Sequence, residues 1–343
     1  MRLHWEKIFS FTSKISNTYK DREGEYMEIC GTYRARFADS PIWHKAYGVI
    51  WLDIANKKII TYNPETEKED IYDAMGWIKS IIPTKDGQFI GVYKDGLYLI
   101  NFKLSIKKPF VLPPDLTDLH FLNDSKCGPD GRLWVGTTDG FFKKFKETPQ
   151  TVYSNYPFEN AKLISISTEG EIQTHLSKLA ISSGLEWDRK TNKFYHIDSS
   201  KHAIFQYVLT EKGQLLFEKI VYSFKMDEGY PDGMTIDSEG NLYVTLFKSS
   251  LMAKTSKEQT RVICIDPQEQ QIKEEYIIPI SHVTSCTIGG KNLETLFITT
   301  AYEALPETRI KEEPLAGYLL QIPIKTIGVM PYEFAIANIE SII

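Results

Sequence analysis

Four polar residues open segments of the chain that resemble one another. They are Asp39, Asn123, Ser183 and Asp232. Carboxylate, amide and hydroxyl oxygens together form the kind of ligand set that suits Ca²⁺, Mg²⁺ or Mn²⁺ and can admit Zn²⁺. The same residue types also begin turns when glycine or serine follows, and taken singly each is more often a turn former than a ligand. A site for one divalent cation therefore requires that the fold bring these segments together.

The segments belong to a repeat in which a strand, a hairpin with Gly or Asn, and a second apolar strand follow one another. Copies begin near Ser40, Ile81, Asn123, Ser182, Pro231 and Thr284, and the last is closed by AGYLLQIPI. Their spacing of about 40 to 60 residues is that of propeller blades. Segments with helical periodicity are scarce, which argues against α/β folds. The sequence predicts an all-β protein, a six-bladed β-propeller, whose ligands bind where inner strands converge on a central channel.

The ends of the chain suggest how such a propeller closes. The stretch EYMEICGTY at 25–33 precedes the first copy and is predicted to supply the outermost strand of the last blade. Residues 25–343 then form a single domain, and residues 1–24 form an appendage whose Trp5, Ile8, Phe9 and Phe11 pack against it. Binding of a partner by these four side chains is the alternative. The polar stretch 248–260 is predicted to be a loop over one face. The sequence leaves open whether this loop gates the channel or only decorates it.

Composition narrows the class of partner. The formal net charge is −5 over 343 residues, and positive and negative residues are interspersed along the chain. The sequence therefore lacks the cluster of basic residues expected of a protein that binds nucleic acid or an anionic membrane. A small molecule is the expected partner, and oligomeric state is left open. Residues 1–24 lack the apolar core of a signal peptide, so a cytoplasmic protein is expected. The four scattered cysteines are expected to be reduced and buried.

Five segments in the same order resemble the SMP-30/gluconolactonase/regucalcin family. They are NDSKCGPDGRLWVGT, ISSGLEWDRKTNKFYHIDS, YPDGMTIDSEGNLYV, TSCTIGGKNLETLFIT and GVMPYEF. The resemblance covers roughly residues 25–335 and implies a six-bladed propeller that binds one divalent cation and, in many members, hydrolyses lactones.

The resemblance also implies roles for particular residues. Asp39 falls where the family usually has a metal-binding Glu, and Asp232 matches a metal-binding Asp. Ser183 replaces the family's ligand Asn and is a poorer ligand. Asn123 is retained as a contact for water or substrate. Phe121 stands where an Arg often contacts sugar acids, which favours a non-sugar or partly apolar substrate.

The leading hypothesis is a metal-dependent hydrolase of small lactones or esters. The metal polarises the lactone carbonyl, and Asp232 orients or deprotonates the attacking water. The alternative is a catalytically impaired protein of the same family that binds a metal or metabolite, suggested by Ser183 and Phe121. A protein-interaction scaffold is a third alternative. His120, His196, His202 and His282 lack metal-site spacing and are interpreted as structural residues.

Overall fold

The computed structural model describes residues 26–116, 120–140, 159–248 and 260–337, together with the backbone of 2–3, 5–7 and 18–21. Almost all of its regular structure is β-strand, arranged in six sheets. No helix among these residues has the length and apolar character needed to cross a membrane. Most of the predicted loop at 248–260, and Ile8, Phe9 and Phe11 of the predicted appendage, lie outside the described residues.

The strands follow one another through the sheets in chain order. Near the N-terminus lie β1 (Arg2–Leu3), β2 (Trp5–Lys7), β3 (Thr18–Asp21) and β4 (Tyr26–Cys30). Blade 1 contains β5 (Ala38–His44), β6 (Gly48–Asp53), β7 (Lys58–Asn63) and β8 (Lys68–Asp73). Blade 2 contains β9 (Ile78–Pro83), β10 (Phe89–Tyr93), β11 (Gly96–Asn101) and β12 (Ile106–Val111). Blade 3 contains β13 (His120–Cys127), β14 (Leu133–Asp139), β15 (Ala161–Ile166) and β16 (Ile172–Leu179).

The second half of the chain continues the pattern. Blade 4 contains β17 (Ser182–Asp188), β18 (Lys193–Asp198), a 3₁₀ turn (Ser199–Lys201), β19 (Ala203–Leu209) and β20 (Leu215–Ser223). Blade 5 contains β21 (Tyr230–Ile236), β22 (Leu242–Phe247), β23 (Thr260–Asp266) and β24 (Gln271–Ile278). Blade 6 contains β25 (Val283–Gly289), β26 (Thr295–Thr300), the helix α1 (Glu307–Glu312) and β27 (Leu319–Pro323), with β4 beside β27. The predicted fold class, an all-β six-bladed β-propeller, is confirmed.

The chain divides into two compact units. Unit 1 comprises Met1–Ile71 and Lys225–Met330, and holds blades 1, 5 and 6. Unit 2 comprises Tyr72–Phe224 and Pro331–Ile343, and holds blades 2, 3 and 4. The predicted separation of an appendage at 1–24 from a single domain at 25–343 stays a prediction.

Burial changes from strand to strand within a blade, and the sequence reflects it. In blade 1 the strand GVIWLD is buried at every position, which explains its continuous apolar run. The last strand, KEDIYD, has no buried residue. Charged side chains on such an outer strand discourage pairing with another chain. The cores lie between the sheets: in unit 2, for example, the ring of Phe194 lies 4.8 Å from that of Trp187 and 5.4 Å from that of Trp134.

The N-terminal region completes blade 6. β4 pairs antiparallel with β27, with Cys30 opposite Leu319, so the prediction that residues 25–33 supply a strand to the last blade is confirmed. The prediction that this strand is the outermost one is wrong, because β3 and β2 lie beyond it in the sheet. The following turn is fixed by Glu69 of blade 1, whose carboxylate accepts hydrogen bonds from the backbone N–H groups of Thr32 and Tyr33 at 3.0 and 3.1 Å. Further strands come from the predicted appendage: β3 and β2 extend blade 6 beyond β4, and β1 pairs in parallel with β24.

Candidate functional site

One irregularity recurs in the first strand of every blade. In blade 3, Leu122 pairs with Thr137 and Ser125 with Val135, so two residues of β13 face one residue of β14. Such a β-bulge redirects side chains and interrupts the ladder of backbone hydrogen bonds. The residues in the bulges, or immediately before the bulge in the case of Asp39, are Asp39, Lys79, Asn123, Ser183, Asp232 and Thr284. Three of the four sequence-predicted polar residues, Asn123, Ser183 and Asp232, therefore begin a bulge, and Asp39 stands one position earlier in its blade.

Unit 1 holds the two predicted carboxylates. Asp39 is half-buried, and its Oδ1 accepts a hydrogen bond from the Ser40 backbone N–H at 2.7 Å. This bond holds Ser40 in the left-handed region, at φ 49°. Asp232 is also half-buried and begins the bulge of β21. Strands β5 and β21 both pack against β25, which places both carboxylates on neighbours of one strand.

Gly233 explains the Pro-Asp-Gly motif that carries Asp232. A Cβ atom at this position would lie 2.5 Å from the Cα atom of Ser285, a backbone atom of β25. A side chain there would push β21 away from β25. Glycine is therefore required for the close approach of these two strands, and the motif is more than a turn signal.

Asn123, in unit 2, has its amide orientation fixed by a backbone group. Its Nδ2 donates to the carbonyl oxygen of Ser182 at 3.0 Å, which ties β13 to β17. Because a carbonyl can only accept, the amide nitrogen must face Ser182 and the Oδ1 atom must face the other way. Asn123 can thus offer an acceptor to a ligand hydroxyl, to water or to a cation. Its role as a substrate contact stays a prediction.

Ser183 is almost completely buried, and its hydroxyl has a partner within unit 2. The Ser183 Oγ lies 2.7 Å from the Oγ of Ser199, which follows β18. One of the two hydroxyls donates and the other accepts. Ser183 therefore keeps one or two lone pairs of a neutral hydroxyl, depending on which serine donates, and is a weaker candidate ligand than the two aspartates.

Phe121 is 9% exposed and lies against two ammonium groups of unit 2. The Nζ of Lys79 is 5.2 Å and that of Lys94 is 5.9 Å from the centre of the Phe121 ring. The Lys94 ammonium also lies 5.5 Å from the ring of Trp77, which is 40% exposed. An aromatic ring attracts a cation without removing its charge. The surroundings of Phe121 are therefore cationic as well as apolar.

The donor set agrees in type, though not in number, with a divalent cation. The two carboxylates of unit 1, Asp39 and Asp232, are hard oxygen ligands. Among the described residues, no group of three or more His, Cys, Asp or Glu side chains is placed to hold a metal. A cation held by Asp39 and Asp232 would need its other ligands from neutral oxygens or water.

The histidines have structural surroundings. His196 is fully buried, and its Nε2 lies 2.7 Å from the Oγ of Ser182. Burial lowers the pKa of His196 to about 4, although the nearby Asp198 opposes the change. The Nε2 of His120 lies 2.9 Å from the Oγ1 of Thr137. These contacts support the interpretation of both as residues that stabilise the fold. The predicted free, buried state of all four cysteines is confirmed.

Lys79 and Thr284 occupy bulges, and the sequence analysis did not single them out as site residues. A spacing signal for Lys79 was present: Lys79, Asn123 and Asp232 each stand eight residues before the glycine of the next hairpin, namely Gly87, Gly131 and Gly240. Thr284 lacks this spacing because the glycine of the blade 6 hairpin, Gly290, stands first in its five-residue loop, whereas the glycines of the other three hairpins stand fourth. Lysine has no acceptor for a metal ion and threonine offers only a neutral hydroxyl, so residue type alone points to neither position.

Comparison with known proteins agrees with this arrangement. Residues 37–302 match the model of the SMP-30/gluconolactonase/LRE-like region. YvrE of Bacillus subtilis (strain 168), whose name describes a sugar lactone lactonase, is 31% identical over 304 residues, which is 88% of this chain and 96% of that relative. Regucalcin of Oryctolagus cuniculus is 27% identical over 302 residues, 87% of this chain and 94% of that relative.

Solved structures show the same fold. A regucalcin from Agrobacterium tumefaciens, described as a calcium-binding protein, superposes with a TM-score of 0.76 at 16% identity, covering 89% of this chain and 96% of the other. A luciferin-regenerating enzyme gives 0.76 at 23% identity, covering 91% and 100%. With a family model that matches most of its length and a full-length relative above 30% identity, the chain belongs to the SMP-30/gluconolactonase/LRE-like family.

Proposed function

We propose that the protein hydrolyses small lactones with the help of one divalent cation. The observation that carries this proposal is the shared placement of Asp39 and Asp232: both are half-buried carboxylates at blade starts, on strands that pack against β25. Two carboxylates held in this way favour a hard cation. Membership of a family that includes lactonases supports the reaction class.

The proposed roles follow from the donors. Asp39 and Asp232 hold the cation, which when bound supplies a Lewis acid for the lactone carbonyl. Asp232 would orient the attacking water and take its proton at a carboxylate oxygen as the water oxygen bonds to the carbonyl carbon. The same carboxyl would return the proton to the ring oxygen as the acyl C–O bond of the lactone breaks. Asn123 accepts a hydrogen bond from the substrate or from water through Oδ1, and Ser183 is the third, weaker ligand. Ca²⁺, Mn²⁺, Mg²⁺ and Zn²⁺ are the candidate ions.

The proposed substrate is partly apolar and carries an anionic group. Phe121 offers a small apolar edge, which favours an alkyl or aryl portion over a sugar ring. Lys79 and Lys94 add positive charge beside that ring. A half-buried ammonium group attracts a carboxylate more strongly than an exposed one, because water screens it less.

A second candidate function is metal or metabolite binding without turnover. It is favoured by the engagement of the Ser183 hydroxyl with Ser199, because a weakened ligand set lowers the affinity for the cation that activates the carbonyl. Retention of a bound cation by a protein that hydrolyses no lactone would select this function.

The experiment measures the hydrolysis of a panel of lactones, with a pH indicator that reports the acid released. Sugar lactones, neutral aliphatic lactones and lactones bearing a carboxylate are offered with each of the four cations or with EDTA. Asp232→Asn, which keeps the size of the side chain and removes its charge, is compared with wild type and with Asp227→Asn. Asp227 is exposed and lies just before blade 5, so it controls for the loss of one surface charge.

We expect wild type and Asp227→Asn to turn over at least one lactone only when a cation is present. Asp232→Asn should lose about a hundredfold or more in kcat, because both a ligand and the base are removed. Equal rates for Asp232→Asn and wild type would rule out the assigned role of Asp232. Absence of turnover for every lactone, with cation binding retained, would favour the second candidate function.

A further inference from the structure

A buried threonine network connects the strands that carry Asp39 and Asp232. Its members are Thr245 on β22, Thr284 on β25 and Thr299 on β26, and each is completely buried. All three belong to unit 1. Each hydroxyl lies within hydrogen-bond distance of a backbone carbonyl at or near a bulge.

Thr284 connects β25 to blade 1. Its Oγ1 lies 2.7 Å from the carbonyl oxygen of Ala38, the residue immediately before Asp39. Two other contacts of this hydroxyl are longer, at 3.0 Å to the carbonyl oxygen and 2.9 Å to the Oγ1 of Thr299. A hydroxyl has one hydrogen to donate. The shortest of its carbonyl contacts assigns that hydrogen to Ala38. The Thr299 hydroxyl then donates either to the Thr284 oxygen or to the carbonyl oxygen of Ser285, which lies 3.1 Å away.

Thr245 connects blade 5 to β25. Its Oγ1 lies 2.8 Å from the carbonyl oxygen of Thr284 and 3.1 Å from that of Gly233, the residue immediately after Asp232. Thr245 stands opposite the Asp232–Gly233 bulge, so its hydroxyl lies beside the interrupted ladder. The one hydrogen of Thr245 goes to the nearer carbonyl, that of Thr284, and the Gly233 carbonyl is a longer second contact. Because β22 pairs with the strand of Asp232, this bond ties the Asp232 strand to β25.

The bulges of β21 and β25 explain part of the need for hydroxyls here, whereas Ala38 stays in register with Asp53, two residues before the bulge of β5. A bulge interrupts the ladder, and a buried carbonyl without a partner costs free energy. Unit 2 meets the same need with other residues, since Asn123 donates to the carbonyl of Ser182. In unit 1 the donors are threonines.

We propose that Thr284 and Thr245 are positioning residues that fix the backbone of Asp39 and Asp232 for cation binding. This inference rests on the proposed function, because it assigns the two carboxylates to a cation. Both hydroxyls act through the backbone and touch neither carboxylate in this arrangement. Loss of either hydroxyl lets one carboxylate-bearing strand move relative to β25.

The test uses Thr→Val variants, which remove a hydroxyl at nearly constant volume. Thr284→Val and Thr245→Val are compared with Thr260→Val. Thr260 is buried in unit 1 and donates to the carbonyl of Leu246 at 2.5 Å, within blade 5 and away from Asp39. Thr260→Val thus also removes one buried hydrogen bond from a hydroxyl to a carbonyl, but it leaves the hydroxyls of Thr245, Thr284 and Thr299 in place. Thr284→Ser, which keeps the hydroxyl, is the conservative variant and guards against simple failure to fold.

Three measurements separate positioning from general stability. Mn²⁺ affinity is measured by titration calorimetry. The constants kcat and KM are measured with the lactone that wild type hydrolyses fastest. Backbone hydrogen exchange is measured without metal on peptides that span residues 36–43 and 230–236. We expect Thr284→Val and Thr245→Val to weaken Mn²⁺ binding and lower kcat by about tenfold, as for residues that orient metal ligands. KM should change little, and exchange of the corresponding peptide should accelerate. Thr260→Val and Thr284→Ser should stay within about twofold of wild type in affinity and kcat.

A double-mutant cycle with Asp39→Asn completes the test. If Thr284 acts through Asp39, Thr284→Val should add no further loss of Mn²⁺ affinity in the Asp39→Asn background. Equal losses of affinity in Thr284→Val and Thr260→Val, or full additivity in the cycle, would overturn the inference. Absence of Mn²⁺ binding by wild type would refute the proposed function, whereas unchanged exchange at 36–43 in Thr284→Val would refute the positioning role by itself.

Discussion

The hydroxyl of Ser183 lies 2.7 Å from that of Ser199, and both residues are buried. An asparagine at 183 would need the space that the Ser199 hydroxyl occupies. We therefore expect Ser183→Asn alone to lower the free energy of unfolding by about 1–3 kcal/mol, the usual cost of overpacking.

Removing the obstructing hydroxyl should reveal the effect of the added amide on metal binding. The double variant Ser183→Asn/Ser199→Gly frees that space, and we expect it to recover stability and to bind Mn²⁺ more tightly than wild type in titration calorimetry. Ser199→Gly alone is the control. If the double variant binds no more tightly than this control, position 183 does not contribute a ligand.

The substitution Asp39→Asn removes the negative charge at position 39 and keeps the hydrogen bond to the Ser40 backbone N–H. Asp39→Asn keeps an Oδ1 that accepts from the Ser40 N–H, so the left-handed turn at Ser40 should persist. We expect a thermal midpoint close to that of wild type and a loss of Mn²⁺ affinity of about tenfold or more, because a charged ligand is lost. Thermal unfolding in the presence of EDTA tests the expected thermal midpoint, and a Mn²⁺ titration tests the expected loss of affinity. An unchanged affinity would remove Asp39 from the proposed ligand set.

The repeat in the sequence was sufficient to predict the blades. Strand-hairpin-strand units near Ser40, Ile81, Asn123, Ser182, Pro231 and Thr284 each became the inner part of one sheet. The strand at 25–33 was predictable because a last blade with only three strands would leave an apolar edge unpaired. Pairing by β1, β2 and β3 was not predictable, since short polar segments carry no alternation that distinguishes an edge strand from a loop.

The chemistry around the predicted residues was harder to foresee than their positions. Asn123 and Ser183 are both polar in the sequence, yet one donates to a backbone carbonyl and the other pairs with a serine sixteen residues away. Such partners depend on which strand lies beside a bulge. For the same reason the sequence suggested an apolar environment at Phe121, because the two lysines beside it come from another blade.

The lysines beside Phe121 predict a charge-dependent substrate preference. Lys79→Met keeps the length of the aliphatic chain and removes the ammonium group that lies 5.2 Å from the Phe121 ring. We expect kcat/KM for carboxylate-bearing lactones to fall by about threefold to tenfold, the range for one partly screened charge. Neutral aliphatic lactones should react at the wild-type rate.

Ionic strength and a second lysine variant test whether the effect of Lys79→Met is due to charge. Raising ionic strength should reduce the advantage of anionic lactones in wild type and have little effect in Lys79→Met. Lys212, which is exposed between β19 and β20, supplies the control Lys212→Met. An equal loss for neutral and anionic lactones in Lys79→Met would mean that the side chain acts by packing, and not by charge.

His196 predicts a loss of stability in acid. Burial lowers its pKa to about 4, whereas an unfolded chain protonates histidine near 6.5. Between these values the unfolded state binds a proton that the folded state does not, so stability is full above about pH 6.5 and falls as the pH drops towards 4. The loss of unfolding free energy across this pH range amounts to about 3 kcal/mol.

His196→Gln, which retains a group able to hydrogen-bond Ser182, should show a free energy of unfolding that depends less on pH over this range in urea titrations. His120→Gln serves as the control, because His120 lies at the half-buried start of β13 and is not enclosed as His196 is. A pH dependence in His196→Gln identical to that of wild type would show that other groups cause the acid sensitivity.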